Sequence, residues 1–343
     1  MASIYGFRIH TLQPFLRRTK KALKVHDVSA AGGAEDAIDA VYDQLQAMKG
    51  VLQLGNPTFI ISNAEDELRR RELEDATDAT YCTLIEVNRV GRNLELIVET
   101  GREADHDALL SRNGERSDMK RKAALRRSLV MLTFPTAGDY VFMTSEVRGR
   151  SFSGEMIISW MTRLAQREAF SETEAGKRED DWLYWKAVPR IDGQRLDDIL
   201  TDSSNYTLKL RRQGPRGEGM YDSGTLEVVQ YGLKRTPITA FRDAITKMAQ
   251  RKDEGSAQAR GKLAAKDVAT LVDAEVGGVE FTFGEVSFLE KGKKQTINSE
   301  TVDQLFIYPT GGGKPTMTNL RDWAAVKIEA IAPTLTSQVS PED

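Results

Sequence analysis

The chain spells out its strands in close pairs. "TYCTLIEV" (80–87) and "NLELIVET" (93–100) are apolar, β-branched runs held apart only by "NRVGR". "SLVMLTF" (128–134) and "DYVFMTSEV" (139–147) repeat the arrangement around Pro135, Ala137 and Gly138. Strands this close together pair antiparallel, because a parallel neighbour needs a crossover of roughly a dozen residues or more. The same spacing returns in "NYTLKLRRQ" (205–213) and "GTLEVVQYG" (224–232), joined by a Gly-rich stretch. "SIYGFRI" (3–9), "TFIIS" (58–62), "WLYWKAVPRI" (182–191), "VEFTFGEVSFLE" (279–290) and "VDQLFIYP" (302–309) read as further strands, with "KGKKQTINSET" connecting the last two.

Helical periodicity is rarer. Ile38, Val41, Tyr42, Leu45 and Met48 form one stripe over 35–49. Ser153 stands as an N-cap before a 154–168 helix that buries Ile157, Trp160, Met161 and Leu164. Thr236-Pro237 starts a third helix with Ile238, Phe241, Ile245 and Met248 on one face, and a last one runs from Asn319 to Ile331. The expectation is an α+β fold of two mainly antiparallel sheet-plus-helix units. The charged stretch "SETEAGKREDD" (171–181) links an N-terminal unit, 1–170, to a C-terminal unit, 182–335, and 336–343 is a disordered tail.

At 343 residues, 40% hydrophobic and 29% charged, such a chain builds its core without metal or disulfide. Its one cysteine, Cys82, reads as a small buried hydrophobe on a strand. No stretch approaches the ~18 apolar residues of a membrane helix, and "MASIYGFRIH" lacks a signal peptide's apolar run, so a cytoplasmic location without membrane contact is expected.

The motifs that invite chemistry fail on spacing. "YPTGGGKPTMTN" (308–319) resembles a phosphate-binding loop, but Tyr308 stands where the first glycine belongs and Pro315 where a hydroxyl should meet magnesium. Glycine N–H groups before a helix leave an anion nest as the weaker option. "GRSFS" (149–153) lacks the final glycine of a nucleophile elbow, and all three histidines precede Ser151. Asp105, His106 and Asp107 are adjacent, so they diverge rather than converge on a metal, and they read as an exposed helix start. A cryptic metal-dependent nuclease would draw on Asp180, Asp181 and Lys186, or on Glu285, Glu290 and Lys291. Trp182, Tyr184 and Trp185 could stack bases, though their alternation fits a strand buried on both sides. No cofactor is implied.

Charge is the remaining signal. The net charge is only −3, yet the basic residues are segregated. Arg17, Arg18, Lys20 and Lys21 lie in a stretch without acids; Lys120, Arg121, Lys122, Arg126 and Arg127 crowd 116–127; Lys209, Arg211 and Arg212 crowd 205–217. If 116–127 is a helix, its basic residues cover most of its surface. Segregated charge of this kind also suits a solvated surface, but it is the pattern of a nucleic-acid interface. The sequence reading is therefore a non-catalytic nucleic-acid-binding or interaction protein, with DNA or RNA as the expected partner; a prokaryotic anti-phage defence or mobile-element setting is expected from the scarcity of motifs and not from the charge pattern. The alternatives are the cryptic nuclease and a self-assembling homo-oligomer or protein-partner module.

Overall fold

The computed structural model describes residues 5–16, 21–28, 37–54, 80–102, 108–110, 116–118, 125–148, 153–171, 182–190, 192, 195, 207–212, 226–231, 247, 262–263, 265–266, 283–290, 293–298, 306–310 and 313–335. The chain is α+β, with mainly antiparallel sheets, and divides into two compact units. Unit 1 comprises Met1–Ala187 and Tyr308–Asp343, and unit 2 comprises Val188–Ile307. The division into units falls after Ala187, and the last helix belongs with the first unit. Its apolar residues pack against strands of the first sheet, a long-range choice that local composition does not reveal.

The larger sheet comprises β1 (Tyr5–Leu16), β2 (Lys21–Ala22), β3 (Leu52–Leu54), β4 (Thr80–Val90), β5 (Asn93–Arg102), β8 (Arg126–Thr133), β9 (Val141–Arg148), β10 (Leu183–Arg190) and β15 (Ile307–Pro309). The order is β10-β1-β9-β8-β5-β4-β3, with β2 and β15 also pairing β1. Both hairpins read from the sequence are present. β4 and β5 close on a two-residue turn with Val90 opposite Asn93, where Gly91 takes φ +58°, a conformation glycine adopts without strain. Ile85 is skipped by the pairing, a bulge between Leu84 and Glu86. A separate ribbon joins β6 (Ala108–Leu110) to β7 (Arg116–Asp118).

Among the described residues, three helices flank this sheet: α1 (Ala37–Met48), α2 (Gly154–Ser171) and α3 (Met317–Ile331). The alternation along β1 shows which covers which face. His10 meets Glu155 of α2 at 3.4 Å, whereas Phe7 stacks with Trp323 of α3 and with Tyr308 of β15. Successive strand side chains point to opposite faces, so α2 lies on one side of the sheet and α3 on the other. Gln44 of α1 donates to the Met161 carbonyl, placing α1 beside α2. The core between these helices and the sheet holds Ile38, Leu45, Leu94, Leu96, Val130 and Ile157, all but fully buried. At roughly 1.5–3 kcal/mol per buried aliphatic side chain, this layer dominates the unit's stability. β1 is buried along nearly its whole length, which explains why it runs well beyond the expected 3–9 despite Pro14.

Unit 2 carries a four-stranded antiparallel sheet ordered β12 (Leu226–Tyr231), β11 (Thr207–Arg212), β13 (Phe283–Glu290) and β14 (Lys293–Ile297). β14 lies in the stretch expected to be a connection. Its lysines hide the pattern, and it forms because β13 offers a pairing edge from Glu290 to Val286.

Two further expectations change. Residues 116–118 and 126–133 are strands, not one basic helix, and 108–110 is a strand rather than part of a helix start. Arg126 and Arg127 extend the apolar run of β8 by two residues, held opposite Thr100 and Glu99 of β5. The 58–62 strand lies outside the described residues, as does all of the 236–248 helix but Lys247.

Candidate functional site

Among the described residues, Arg127, Arg148 and Lys314 gather at one end of the nine-stranded sheet on the face that carries α3, and Arg126 lies at the same end, alternating to the other face. β8 and β9 pair from Thr133–Phe142 to Val130–Ser145, and their paired register stops there. Leu129 then turns its N–H not to a strand partner but to Glu146, whose Oε2 accepts it at 3.1 Å. The end of the pairing is thus finished by a carboxylate that is only 1% exposed. Burial pushes the Glu146 carboxyl above its ordinary value; the Leu129 N–H and the charges of Lys314, Arg126 and Arg148 act against that rise. A buried carboxylate is tolerated only with such partners around it.

The surrounding cations come from three elements. Arg126 is half-buried at the start of β8, and burial lowers its pKa while Glu146 raises it and Arg148 lowers it further. Arg148 ends β9, exposed, with its guanidinium 5.6 Å over the Tyr5 ring. Tyr5 is opposite Arg148 in the β1–β9 register, and its carbonyl accepts the Thr310 N–H at 3.1 Å. Lys314 arrives from the loop before α3, and its ammonium donates to the Arg127 carbonyl at 3.2 Å. Arg127 itself is tied to Glu99 at 2.7 Å, a pairing that raises its pKa, so its charge is locally neutralised.

Of the glycine-rich loop, Lys314 is the residue that reaches the sheet. A Cβ at Gly313 would meet open space, so packing does not require glycine there. The α3 N-terminus is closed by its own capping box, Thr316 Oγ1 accepting from the Asn319 N–H at 3.2 Å while Asn319 returns a bond to the Thr316 N–H. What remains is Lys314, and the positive end of α3 behind it, set beside Arg126 and Arg148. Nearby on the same face, Arg321 of α3 donates to Glu95 of β5 at 2.8 Å and holds the helix on the sheet.

Of the residues singled out in the sequence, the structure places Arg126 and Arg127 in this notch. Lys21 is exposed at the other end of β1, opposite Leu16. Eleven strand steps separate Leu16 from Tyr5, about 36 Å at ~3.3 Å per step, so Lys21 cannot share the site. Lys209 is half-buried on β11 of unit 2, directly opposite Glu285 of β13, and Ser287 Oγ donates to that carboxylate at 3.3 Å. Arg211 and Arg212 lie on β11, where only their backbone is described. Arg17, Arg18, Lys20, Lys120, Arg121, Lys122, Asp180, Asp181 and Lys291 lie outside the described residues. Trp182 and Trp185 are buried and Tyr184 half-buried, as a strand covered on both sides requires.

Glu146, Arg148 and Lys314 were missed as a site. Glu146 sits in an apolar strand run, and Lys314 is separated from it by 168 positions in the chain. The one signal available was a glutamate inside a strand run that is buried on both faces. Among the described residues, no helix is long and apolar enough to cross a membrane, and no three His, Cys, Asp or Glu side chains are grouped to hold a metal. No protein-family model, curated protein or solved structure matches the chain, so any functional reading rests on its own residues.

Proposed function

We propose that the protein binds nucleic acid through the phosphate backbone at the notch formed by Arg126, Arg148 and Lys314. The observation that carries this reading is the tie between Lys314 and the Arg127 carbonyl, which brings a loop distant in sequence onto the basic end of β8. Three cations then surround one buried carboxylate, while Arg127 is held by Glu99. A local excess of positive charge on exposed side chains attracts a polyanion and releases its counterions on contact. The overall charge of −3 makes this a local site rather than a general property of the surface. Binding is expected to be weak and largely sequence-independent, since it is addressed to phosphate.

The test is fluorescence anisotropy with labelled single-stranded and duplex oligonucleotides at low salt. Arg148→Glu with Lys314→Glu abolishes binding, whereas reversal of Lys21 and Lys24 at the far end of β1 leaves it. No detectable binding by the wild type, or equal loss from both pairs, sinks the proposal. Cleavage of the probe that depends on a divalent metal would overturn its non-catalytic part and favour the nuclease alternative.

A further inference from the structure

Of the chain's four tryptophans, Trp160, Trp182 and Trp185 are buried and Trp323 is not. Trp323 of α3 is 37% exposed, and Val326, three residues on, is 63% exposed. Residues three apart are neighbours on a helix, so the two form one open apolar flank of α3. The indole is nonetheless held in place. It stacks on Phe7 of β1 with 6.4 Å between ring centres and 14° between planes. Phe7 stacks in turn on Tyr308 of β15, at 5.0 Å and 17°. Phe7 and Tyr308 are buried, so this row of rings reaches the surface through Trp323.

The register ties this row to the notch. Phe7 pairs with Glu146 across β1 and β9, and Tyr5 pairs with Arg148. Tyr5 and Phe7 lie on one face of the sheet, two residues apart, so Phe7 is about 7 Å along β1 from the Tyr5–Arg148 pair at ~3.3 Å per residue. Cations stand at both ends of the open flank. Lys314 lies before the start of α3, its ammonium on the Arg127 carbonyl. Lys327 follows Trp323 by one turn, and its ammonium is 5.5 Å from the centre of the Tyr308 ring.

An exposed tryptophan by itself would suit a protein partner equally well. The cations around it favour a polyanion instead. A single strand of nucleic acid is a polyanion that carries a flat aromatic group at every phosphate. A duplex keeps those groups stacked inside and presents phosphate to a surface like this one. Resting on the nucleic-acid reading above, we propose that Trp323 is a stacking platform for an unpaired base whose phosphate lies in the notch. The protein thereby selects single strands over duplex. Aromatic platforms beside basic grooves bind single strands in this way with little regard for sequence. Phe7 and Tyr308 brace the indole from behind, so little side-chain ordering remains to be done on binding.

The experiment measures binding of one labelled DNA sequence as a single strand, as a duplex, and as a strand of abasic sites. The proteins are wild type, Trp323→Leu and Trp323→Phe. Leucine keeps an apolar cover on Phe7 and removes the ring, whereas phenylalanine keeps a ring. Trp323→Leu is expected to lower single-strand affinity about tenfold, the worth of one stacked base, and duplex affinity by no more than about twofold. Trp323→Phe should stay within about threefold of wild type on the single strand, because a flat ring remains. In both variants the slope of log K against log salt should match wild type, since no phosphate contact is lost. The abasic strand keeps every phosphate, and wild type should bind it about tenfold or more weakly than the intact strand. Unchanged single-strand binding in Trp323→Leu overturns the inference, as does an equal loss for strand and duplex; either result leaves the phosphate site standing. If wild type binds neither strand nor duplex, both readings fall. Should Trp323→Leu melt below wild type, the abasic strand on wild type and Trp323→Phe decides, and binding equal to that of the intact strand overturns the inference.

Discussion

Removing Arg148 gives a change whose size follows from the arrangement of the notch. Four cations stand there, but Arg127 is paired with Glu99, which leaves Arg126, Arg148 and Lys314 to neutralise phosphate. For a single strand each neutralised phosphate contributes about −0.7 to the slope of log K against log salt, so three give roughly −2. Raising salt from ~50 to ~200 mM should therefore weaken wild-type binding about 20-fold. Arg148→Ala leaves two cations, a slope of roughly −1.4 and a loss of about 7-fold over the same range. The side chain is exposed, so stability should change by no more than about 0.5 kcal/mol. Anisotropy titrations across a salt series measure the slopes, and a thermal melt checks the fold. A variant that binds more weakly but keeps the wild-type slope would refute the assignment of Arg148 to phosphate. A wild-type slope near −5 would show that other basic segments share the work.

Other consequences can be measured on the protein alone. Gly154→Ala should destabilise by about 1–2 kcal/mol even though alanine favours a helix, because its Cβ overlaps Ser145 Oγ and sits 2.9 Å from Met143 Sδ; adding Ser145→Ala should recover at least ~0.5 kcal/mol in denaturant melts, and a more stable single variant contradicts this packing. The Cys82 thiol is pushed up to about 12 by burial, so labelling at neutral pH should be slow in the native state and fast in denaturant; rapid native labelling would mean an exposed sulfur. Glu146 is held above its ordinary carboxyl value, so its stability contribution is complete below the unfolded value of 4.5 and is lost as pH rises through the folded one. Glu146→Gln should thus gain on wild type as pH rises from ~4 to ~7, at up to about 1.4 kcal/mol per pH unit between the unfolded and folded values; a pH-independent difference would show that the carboxyl is not perturbed.

The hairpins and the helices α1, α2 and α3 were legible because each rests on local periodicity. Ile38, Val41 and Leu45 face the core as their spacing requires, and the apolar runs of β8 and β9 are buried almost end to end. β14 was not legible, since a strand of Lys-Lys-Gln-Thr-Ile acquires its structure from β13 rather than from its own residues. The basic residues of 116–127 were visible as charge, but not the partition of their ends between two strands. Arg126 and Arg127 belong to β8 because Thr100 and Glu99 pair with them, a contact across 26 and 28 residues. The notch was hidden for the same reason: Lys314 reaches Arg127 only through the docking of α3 on the sheet. Ser153 precedes α2 as expected, yet its hydroxyl is buried and makes no bond among the described residues, so position rather than side-chain capping is what the sequence conveyed.

Whether the notch is the interface comes down to where a bound strand lies. Ultraviolet crosslinking of a single-stranded RNA to the full chain, followed by peptide mass spectrometry, reports this without any substitution. Crosslinks are expected within 5–8, 126–148 and 308–316, with Tyr5 prominent because its ring lies beside Arg148 and an aromatic face stacks on a base. They should disappear in Arg148→Glu with Lys314→Glu. Crosslinks confined to 17–24 or 205–217, and unchanged by that double reversal, would contradict the phosphate site and move the interface away from the notch.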